Sequence, residues 1–313
     1  MLNLSKTFGF SYDNKMAVTI IRHEVRPEVA HGYYSGEQAL PLRETEESEA
    51  LSFLAQRPLH TVYMASLIRD NGVESSFNRG RFYSYRGSHG RLEGIALLGH
   101  ATLIEAHTES ALNAFASLAK QSSLPHLIRG EEDVVKRFWS QYGEPGQVVK
   151  RISRELLMEQ VDVPAGQEVI GLRQATLADL EDVTKVNSEM ALAESGSDPL
   201  ERDPKGFRYR IARRIALGRN WIWTDGGKLL FKADIIADTP QVIYLEGIYV
   251  DPSERGRGYG SMCLSQLGRI LLRQTCSICL TLNASREKTK TFYINAGYSP
   301  RSYYDTIYLQ PAQ

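Results

Sequence analysis

Arg255-Gly256-Arg257-Gly258-Tyr259-Gly260 is the segment whose residue types and spacing point most directly to chemistry. Glycines at alternate positions remove Cβ atoms and let the backbone wrap an anion closely. A strand rich in β-branched and aromatic residues precedes the segment and stops at Asp251-Pro252, and an amphipathic stretch follows from Ser261. A helix starting there offers unpaired N–H groups and about half a positive charge. Arg255 and Arg257 add mobile positive charge. Together these features make a cradle for a pyrophosphate. A nucleoside-triphosphatase loop would place Lys after its glycines, and none follows here. A dinucleotide loop spaces its glycines differently and sits on the first strand of its unit. This loop follows the fourth strand of its half. A glycine-rich turn with no ligand is the plainer alternative.

The rare residues narrow the rest. All seven histidines (His23, His31, His60, His89, His100, His107 and His126) precede residue 127, and all three cysteines follow residue 262. If the chemistry sits in the C-terminal half, no histidine base is at hand there. Carboxylates and tyrosines remain.

The elements around the loop read as an alternating series. Val169–Arg173 is a short strand. Thr176 with Asp179 offers a helix start of capping-box type, and Leu177, Leu180, Val183 and Val186 recur at helical spacing. Ser195 to Pro199 closes that helix. Phe207, Ile211 and Ile215 mark a second one, ended by Gly218. Strands follow at Asn220–Thr224 and Leu229–Ile236, joined by the Asp225-Gly226-Gly227 turn. Val242–Val250 is the next strand. A helix from Ser261, a strand at Ile278–Leu282, a helix at Lys288–Ala296 capped by Gly297 and a strand at Tyr303–Leu309 complete the half. The order is β-α-α-β-β-β-α-β-α-β.

Residues 1–160 read as a looser version of the same order. Helices are expected at Glu44–Ala55, Thr61–Ile68, Glu109–Gln121 and Glu131–Gln141. Strands are expected at Arg81–Tyr85, Leu92–Leu98, Thr102–Ile104 and Pro125–Ile128. The polar stretch Glu159–Glu168, with Pro164 and Gly166, fits a linker or a crossing strand. The division is therefore 1–160 and 161–313.

Two motifs now resemble something known. Tyr249-Val250-Asp251-Pro252-x-x-Arg255-Gly256-Arg257-Gly258-Tyr259-Gly260 is similar to the Arg/Gln-x-x-Gly-x-Gly/Ala signature of the GNAT N-acetyltransferase superfamily. Phe292-Tyr293-Ile294-Asn295-Ala296-Gly297-Tyr298 is similar to its Leu-Tyr-x-x-x-Gly-Phe segment. The likeness covers residues 169–309. Glu194 to Pro199, Phe231-Lys232-Ala233 and Asn283 further resemble a bacterial group of tandem GNAT proteins. In that group a degenerate N-terminal GNAT-like domain precedes a catalytic one. Leu97 to Thr102 leads to no Arg-x-x-Gly-x-Gly loop, which fits. The group's second Asn, three residues after Asn283, is Arg286 here, and this departure leaves the acceptor contacts on that side open.

The resemblance implies two tandem GNAT-like α/β domains, each a mixed, mostly antiparallel twisted sheet flanked by helices. It implies acetyl-CoA as co-substrate, without a metal, and acetyl transfer by direct attack of a primary amine. The amine would belong to a small molecule or to a protein lysine or N-terminus. Main-chain groups of Ile248, Tyr249 and Val250 would meet the pantetheine arm. Arg255, Gly256, Arg257, Gly258, Tyr259, Gly260 and Ser261 would hold the pyrophosphate, with Asn283 also on the cofactor side. Tyr293 would be the general acid, against the alternative of a core aromatic. Glu246 is the candidate base, against that of a solvated strand-end Glu, and strand period places Glu246, Ile248 and Val250 on one face. Glu194 and Asp198 could bind a cationic acceptor or supply the base instead; each alone also reads as a solvent-exposed acidic residue. Lys232 reads as a lysine that snorkels. Cys276 and Cys279 read as buried thiols rather than zinc ligands.

Composition bounds these readings. The chain has 313 residues, 42% hydrophobic and 24% charged, with Lys+Arg and Asp+Glu both numbering 37. Without a basic field, nucleic acid is not expected as a partner. No apolar run spans a membrane, and Met1–Glu24 lacks the core of a secretory signal, so a cytoplasmic location is expected. Two other functions stay open: a non-catalytic CoA-binding sensor, and an acyltransferase using aminoacyl-tRNA. The acceptor and the oligomeric state, a homodimer included, are not written in the sequence.

Overall fold

The computed structural model describes residues 38–121, 127–143 and 148–310. His23, His31, His126, Pro125 and the Met1–Glu24 segment lie outside the described residues. The first half runs β1 (Ala39–Pro41), α1 (Glu47–Leu54), α2 (Pro58–Asn71), β2 (Gly80–Arg86), β3 (Leu92–Gly99) and β4 (Ala101–Ala106). It continues with α3 (Glu109–Lys120), β5 (Leu127–Glu131), α4 (Glu132–Tyr142) and β6 (Val149–Gln160). The second runs β7 (Arg173–Gln174), α5 (Leu180–Ser195), α6 (Pro199–Arg202), α7 (Pro204–Ala216), β8 (Asn220–Asp225), β9 (Lys228–Asp238) and β10 (Val242–Val250). It ends with α8 (Tyr259–Leu271), β11 (Ser277–Asn283), α9 (Glu287–Asn295) and β12 (Ser299–Leu309).

Local sequence explains many of the boundaries. The Asp179 carboxylate accepts the Thr176 N–H at 2.7 Å, which starts α5. Gly196 ends α5 in the left-handed region, at φ 70°. Gly226 and Gly227 both take positive φ in the β8–β9 hairpin. β7 is shorter than the expected Val169–Arg173 strand because the chain turns at Gly171, φ 91°.

All twelve strands join one sheet, in the order β1-β2-β3-β4-β5-β12-β6-β11-β10-β9-β8-β7. The order is symmetric: exchanging each strand of one half for its counterpart in the other returns the same list read backwards. Each half holds one parallel pair, β4 with β5 and β10 with β11. The tandem architecture inferred from the repeated element order is therefore present in the fold.

The last strand of each half crosses to the other. β6 lies along β11, from Gln160 opposite Ile278 to Glu155 opposite Asn283, and β12 lies along both β5 and β6. The side chains follow. Leu156 and Met158 of β6 join the core beneath α8, while Ile307 and Leu309 of β12 join the core of the first half. The first seven residues of β6, Val149 to Glu155, are polar except for Val149 and Ile152, and Ile152 is exposed. They show no alternation, which is why the sequence predicts no strand between the Glu131–Gln141 helix and Glu159.

Candidate functional site

The parallel pair β10–β11 is hydrogen-bonded only from Val242–Tyr244 to Ser277–Cys279. Beyond that, β10 stays with β9 and β11 stays with β6. The two strands part, and residues 245–250 of β10 have no strand partner on the β11 side. Within this stretch Glu246 pairs with Asp234 and Tyr249 with Lys232, so Gly247 and Ile248 together oppose Ala233. This is a β-bulge. Gly247 has φ 59°, a left-handed value that suits glycine.

The bulge fixes which main-chain groups face the opening. The Asp251 N–H donates to Leu230 O at 2.9 Å across to β9. Hydrogen-bonding direction alternates along an antiparallel strand. Tyr249 therefore turns its main-chain groups to β9, and Ile248 and Val250 turn theirs to the open side. The Val250 carbonyl there accepts from Arg255 Nε at 3.1 Å.

The same extra residue changes which side chains share a face. Leu245, Ile248 and Val250 all pack on the core beneath α8. Tyr244 packs on the other face, with Val62, Leu157 and Tyr304. Its hydroxyl donates to Glu246 Oε1 at 2.7 Å. Glu246 thus lies opposite Ile248 and Val250, which overturns the expectation that the three share one face. An uninterrupted strand would have put them together; the inserted residue shifts the parity.

At the end of β10, Asp251 Oδ1 accepts from Ser253 N–H at 2.9 Å and from Lys228 Nζ at 2.8 Å, anchoring the turn. Gly256 and Gly258 follow at φ 79° and 83°. Gly258 caps α8, with no side-chain cap and no acidic residue in the first turn. The N–H groups of Tyr259, Gly260 and Ser261 are thus left for an anion. A Cβ on Gly260 would come within 2.9 Å of Val250 Cγ2, so close packing of α8 on β10 requires that glycine. Arg257 pairs with Glu254 at 2.9 Å.

The family model for the acetyltransferase (GNAT) domain matches residues 217–300. The C-terminal half carries a GNAT domain. Among solved structures, a Drosophila protein is similar over 89% of this chain and 100% of its own, with a TM-score of 0.66 at 14% identity. A tandem GNAT protein from the clavulanic acid biosynthesis pathway is similar over 88% and 99%, with a TM-score of 0.54 at 13% identity. A GNAT-family acetyltransferase from Colwellia psychrerythraea covers 87% and 100%, with a TM-score of 0.52 at 13% identity. At such identities the likeness is one of fold. No curated protein matches the sequence.

Glu246 of the GNAT domain sits in a network built from both halves. Arg129 of β5 donates from Nη2 to Glu155 Oε2 at 2.8 Å, Tyr244 Oη at 2.9 Å and Thr281 Oγ1 at 2.7 Å. Its Nη1 lies 3.5 Å from Glu246 Oε1. Burial alone would lower the Arg129 pKa, but Tyr244, Glu155 and Glu246 hold it well above the usual value. Burial likewise pushes the Tyr244 hydroxyl well up. The Glu246 side chain is 42% exposed, open to water.

Glu194, at the C-terminal end of α5, is exposed to solvent at its surface. Its pKa is raised by lost hydration and then by the Glu246 carboxylate, while Arg286 and Lys232 pull it back. The two candidate carboxylates therefore share one field. Asp198 is already engaged, with Oδ1 accepting from Ser188 Oγ at 2.5 Å and from Leu200 N–H at 2.7 Å as the cap of α6. Asn283 Oδ1 accepts from Ser285 N–H at 3.0 Å and Ser285 Oγ at 2.6 Å. Tyr293 is buried in the core under α8, edge-on to Phe292 and Tyr298. Burial pushes its hydroxyl up to about 12.

Four further side chains differ from expectation or escaped it. Lys232 does not snorkel: it is wholly buried, because Asp234 and the Gly247 carbonyl give its ammonium partners inside the sheet. Cys279 is buried as expected, but Cys276 is exposed in the turn before β11. Tyr244 is two residues from Glu246, a spacing that places both on one strand face and is the one local signal for its role. Arg129 had no local signal at all, since it comes from the other half. Among the described residues no cluster of three metal-ligating side chains occurs and no helix is long and apolar enough to cross a membrane.

Proposed function

We propose that residues 161–313 form a catalytic domain that transfers acetyl from acetyl-CoA to a primary amine, and that residues 1–160 form a GNAT-like half without a cofactor site. The observation that carries this is the parting of β10 from β11, aligned with an uncapped glycine turn at the start of α8. Bound there, acetyl-CoA would supply an activated acetyl thioester. Ile248 and Val250 would meet the pantetheine arm with main-chain groups, and the Arg255–Ser261 turn would hold the pyrophosphate. The acceptor amine, mostly charged at neutral pH with a pKa of about 10.4 if lysine-like, would lose a proton to Glu246 through water. Its lone pair would form the C–N bond as the C–S bond breaks. Tyr293, its hydroxyl held protonated by burial, would give its proton to the departing sulfur, and the second proton, shed by the nitrogen as the amide forms, would restore that hydroxyl through solvent.

The first half contrasts with this. β4 and β5 also part after Thr102 and Ile128. Arg57, however, spans the gap, donating to Glu105 Oε1 at 3.0 Å and to Glu131. The helix that follows, α3, starts with Thr108 accepting the Ala111 N–H at 3.3 Å and with Glu109 in its first turn. Its N-terminus is capped and acidic where that of α8 is open.

Charge reversal at Arg255 tests the cradle. Arg255→Glu is expected to weaken acetyl-CoA binding by at least tenfold, the scale of one charge-assisted contact. Equal affinity by calorimetry would sink the assignment. Tyr293→Phe is expected to leave that affinity unchanged and lower kcat about tenfold. An unchanged kcat in a folded variant would return Tyr293 to a purely packing role.

A further inference from the structure

Lys232 is a charged side chain in the middle of a sheet with 0% of its surface exposed. Its Nζ donates to Asp234 Oδ2 at 2.7 Å and to the Gly247 carbonyl at 2.8 Å. Asp234 is held in turn, with Oδ1 accepting from Asn220 Nδ2 at 2.7 Å and Oδ2 lying 3.5 Å from Arg214 Nη1. Burying such a pair costs stability that an apolar pair would not. The pair is aimed at one particular peptide, the one joining Gly247 to Ile248 inside the bulge.

No cis peptide bond occurs among the described residues. In a trans peptide the C=O and N–H point in opposite directions. The carbonyl end of this peptide faces the Lys232 ammonium. The amide end, Ile248 N–H, therefore faces away from it, toward the open side of β10. A positive charge hydrogen-bonded to the carbonyl draws electron density from the amide and makes its N–H a stronger donor.

We propose that Lys232 acts through the Gly247–Ile248 peptide, fixing the bulge and strengthening the Ile248 N–H as the donor to the thioester oxygen while that oxygen gains negative charge. Lys232 is then a positioning residue that never touches the substrate. The inference rests on the acetyltransferase reading above.

The test combines kinetics with a signal independent of turnover. In Lys232→Met, kcat is expected to fall about tenfold or more, less than the loss of a whole oxyanion donor, with KM for acetyl-CoA within about threefold. The Ile248 amide proton, followed with isoleucine-selective 15N labelling, is expected downfield of ordinary strand amides in the unsubstituted protein and upfield of that position in the variant. Lys232→Met with Asp234→Asn removes both charges and repeats the test should the single variant not fold. A folded variant with unchanged kcat overturns the proposal, and so does an unsubstituted Ile248 signal among ordinary strand amides. Absence of turnover in the unsubstituted protein across a broad amine panel would instead count against the acetyltransferase reading, and the amide signal would still decide the role of Lys232.

Discussion

Replacing Glu246 by Gln is expected to lower kcat about 100-fold while leaving acetyl-CoA affinity within about twofold. The scale is that of a general base. Gln keeps the size of Glu and can still accept from Tyr244 Oη, which lies 2.7 Å from Glu246 Oε1. It cannot take a proton. Binding should be spared because the bulge turns Glu246 to the face opposite Ile248 and Val250. Arg129 loses one neighbouring charge but keeps Glu155 at 2.8 Å, so the network stays occupied. Steady-state kinetics with calorimetry decides the matter. A fall of less than about threefold would remove Glu246 as base. The same substitution at Glu194, whose raised pKa already reflects the Glu246 charge, would then be the one expected to abolish turnover.

Gly247→Ala is expected to destabilise the protein by about 2–4 kcal/mol and to reduce activity well beyond that loss. A left-handed backbone costs an L-residue about 1–2 kcal/mol, and Gly247 sits at φ 59°. An added Cβ would also lie 2.8 Å from both Lys232 Nζ and Asp234 Oδ2. Neither atom has room to retreat, since both are buried and bonded to each other. Relief would have to come from the bulge itself, which would turn the Ile248 N–H from its aim. Thermal unfolding should show a midpoint lower by roughly 5–10 °C. An unchanged midpoint with unchanged kcat would mean that the bulge geometry is not required.

The features legible in the sequence are those fixed by near neighbours. The capping pair Thr176 and Asp179 is three residues apart. The Asp225-Gly226-Gly227 hairpin and the alternating glycines of the loop are set by backbone conformations that few other residues adopt. Gly247 is legible too, since an isolated glycine inside a strand marks a bulge, but plain strand period runs straight through it. Plain period puts Glu246 on the wrong face.

Other features had no local trace. β6 carries polar residues through Glu155 because its first half runs beside β12 with a face open to solvent, so hydrophobic period could not reveal it. Its neighbours β11 and β12 lie more than a hundred residues away. Lys232 reads in the sequence as a strand lysine that snorkels because its partners, Asp234 and the Gly247 carbonyl, meet it only once β9 and β10 pair.

By itself, then, the sequence determined the glycine-arginine loop at Arg255–Gly260 that we propose as an anion cradle, one such loop rather than two, and the repeated order of elements. These rest on short-range conformational preference. The tertiary structure decided which face Glu246 occupies, what surrounds it, and that each half completes the other's sheet. Pairing across a sheet joins residues without regard to their distance along the chain. Arg129 of β5 therefore reaches a carboxylate of β10 that no spacing in the sequence could have assigned to it.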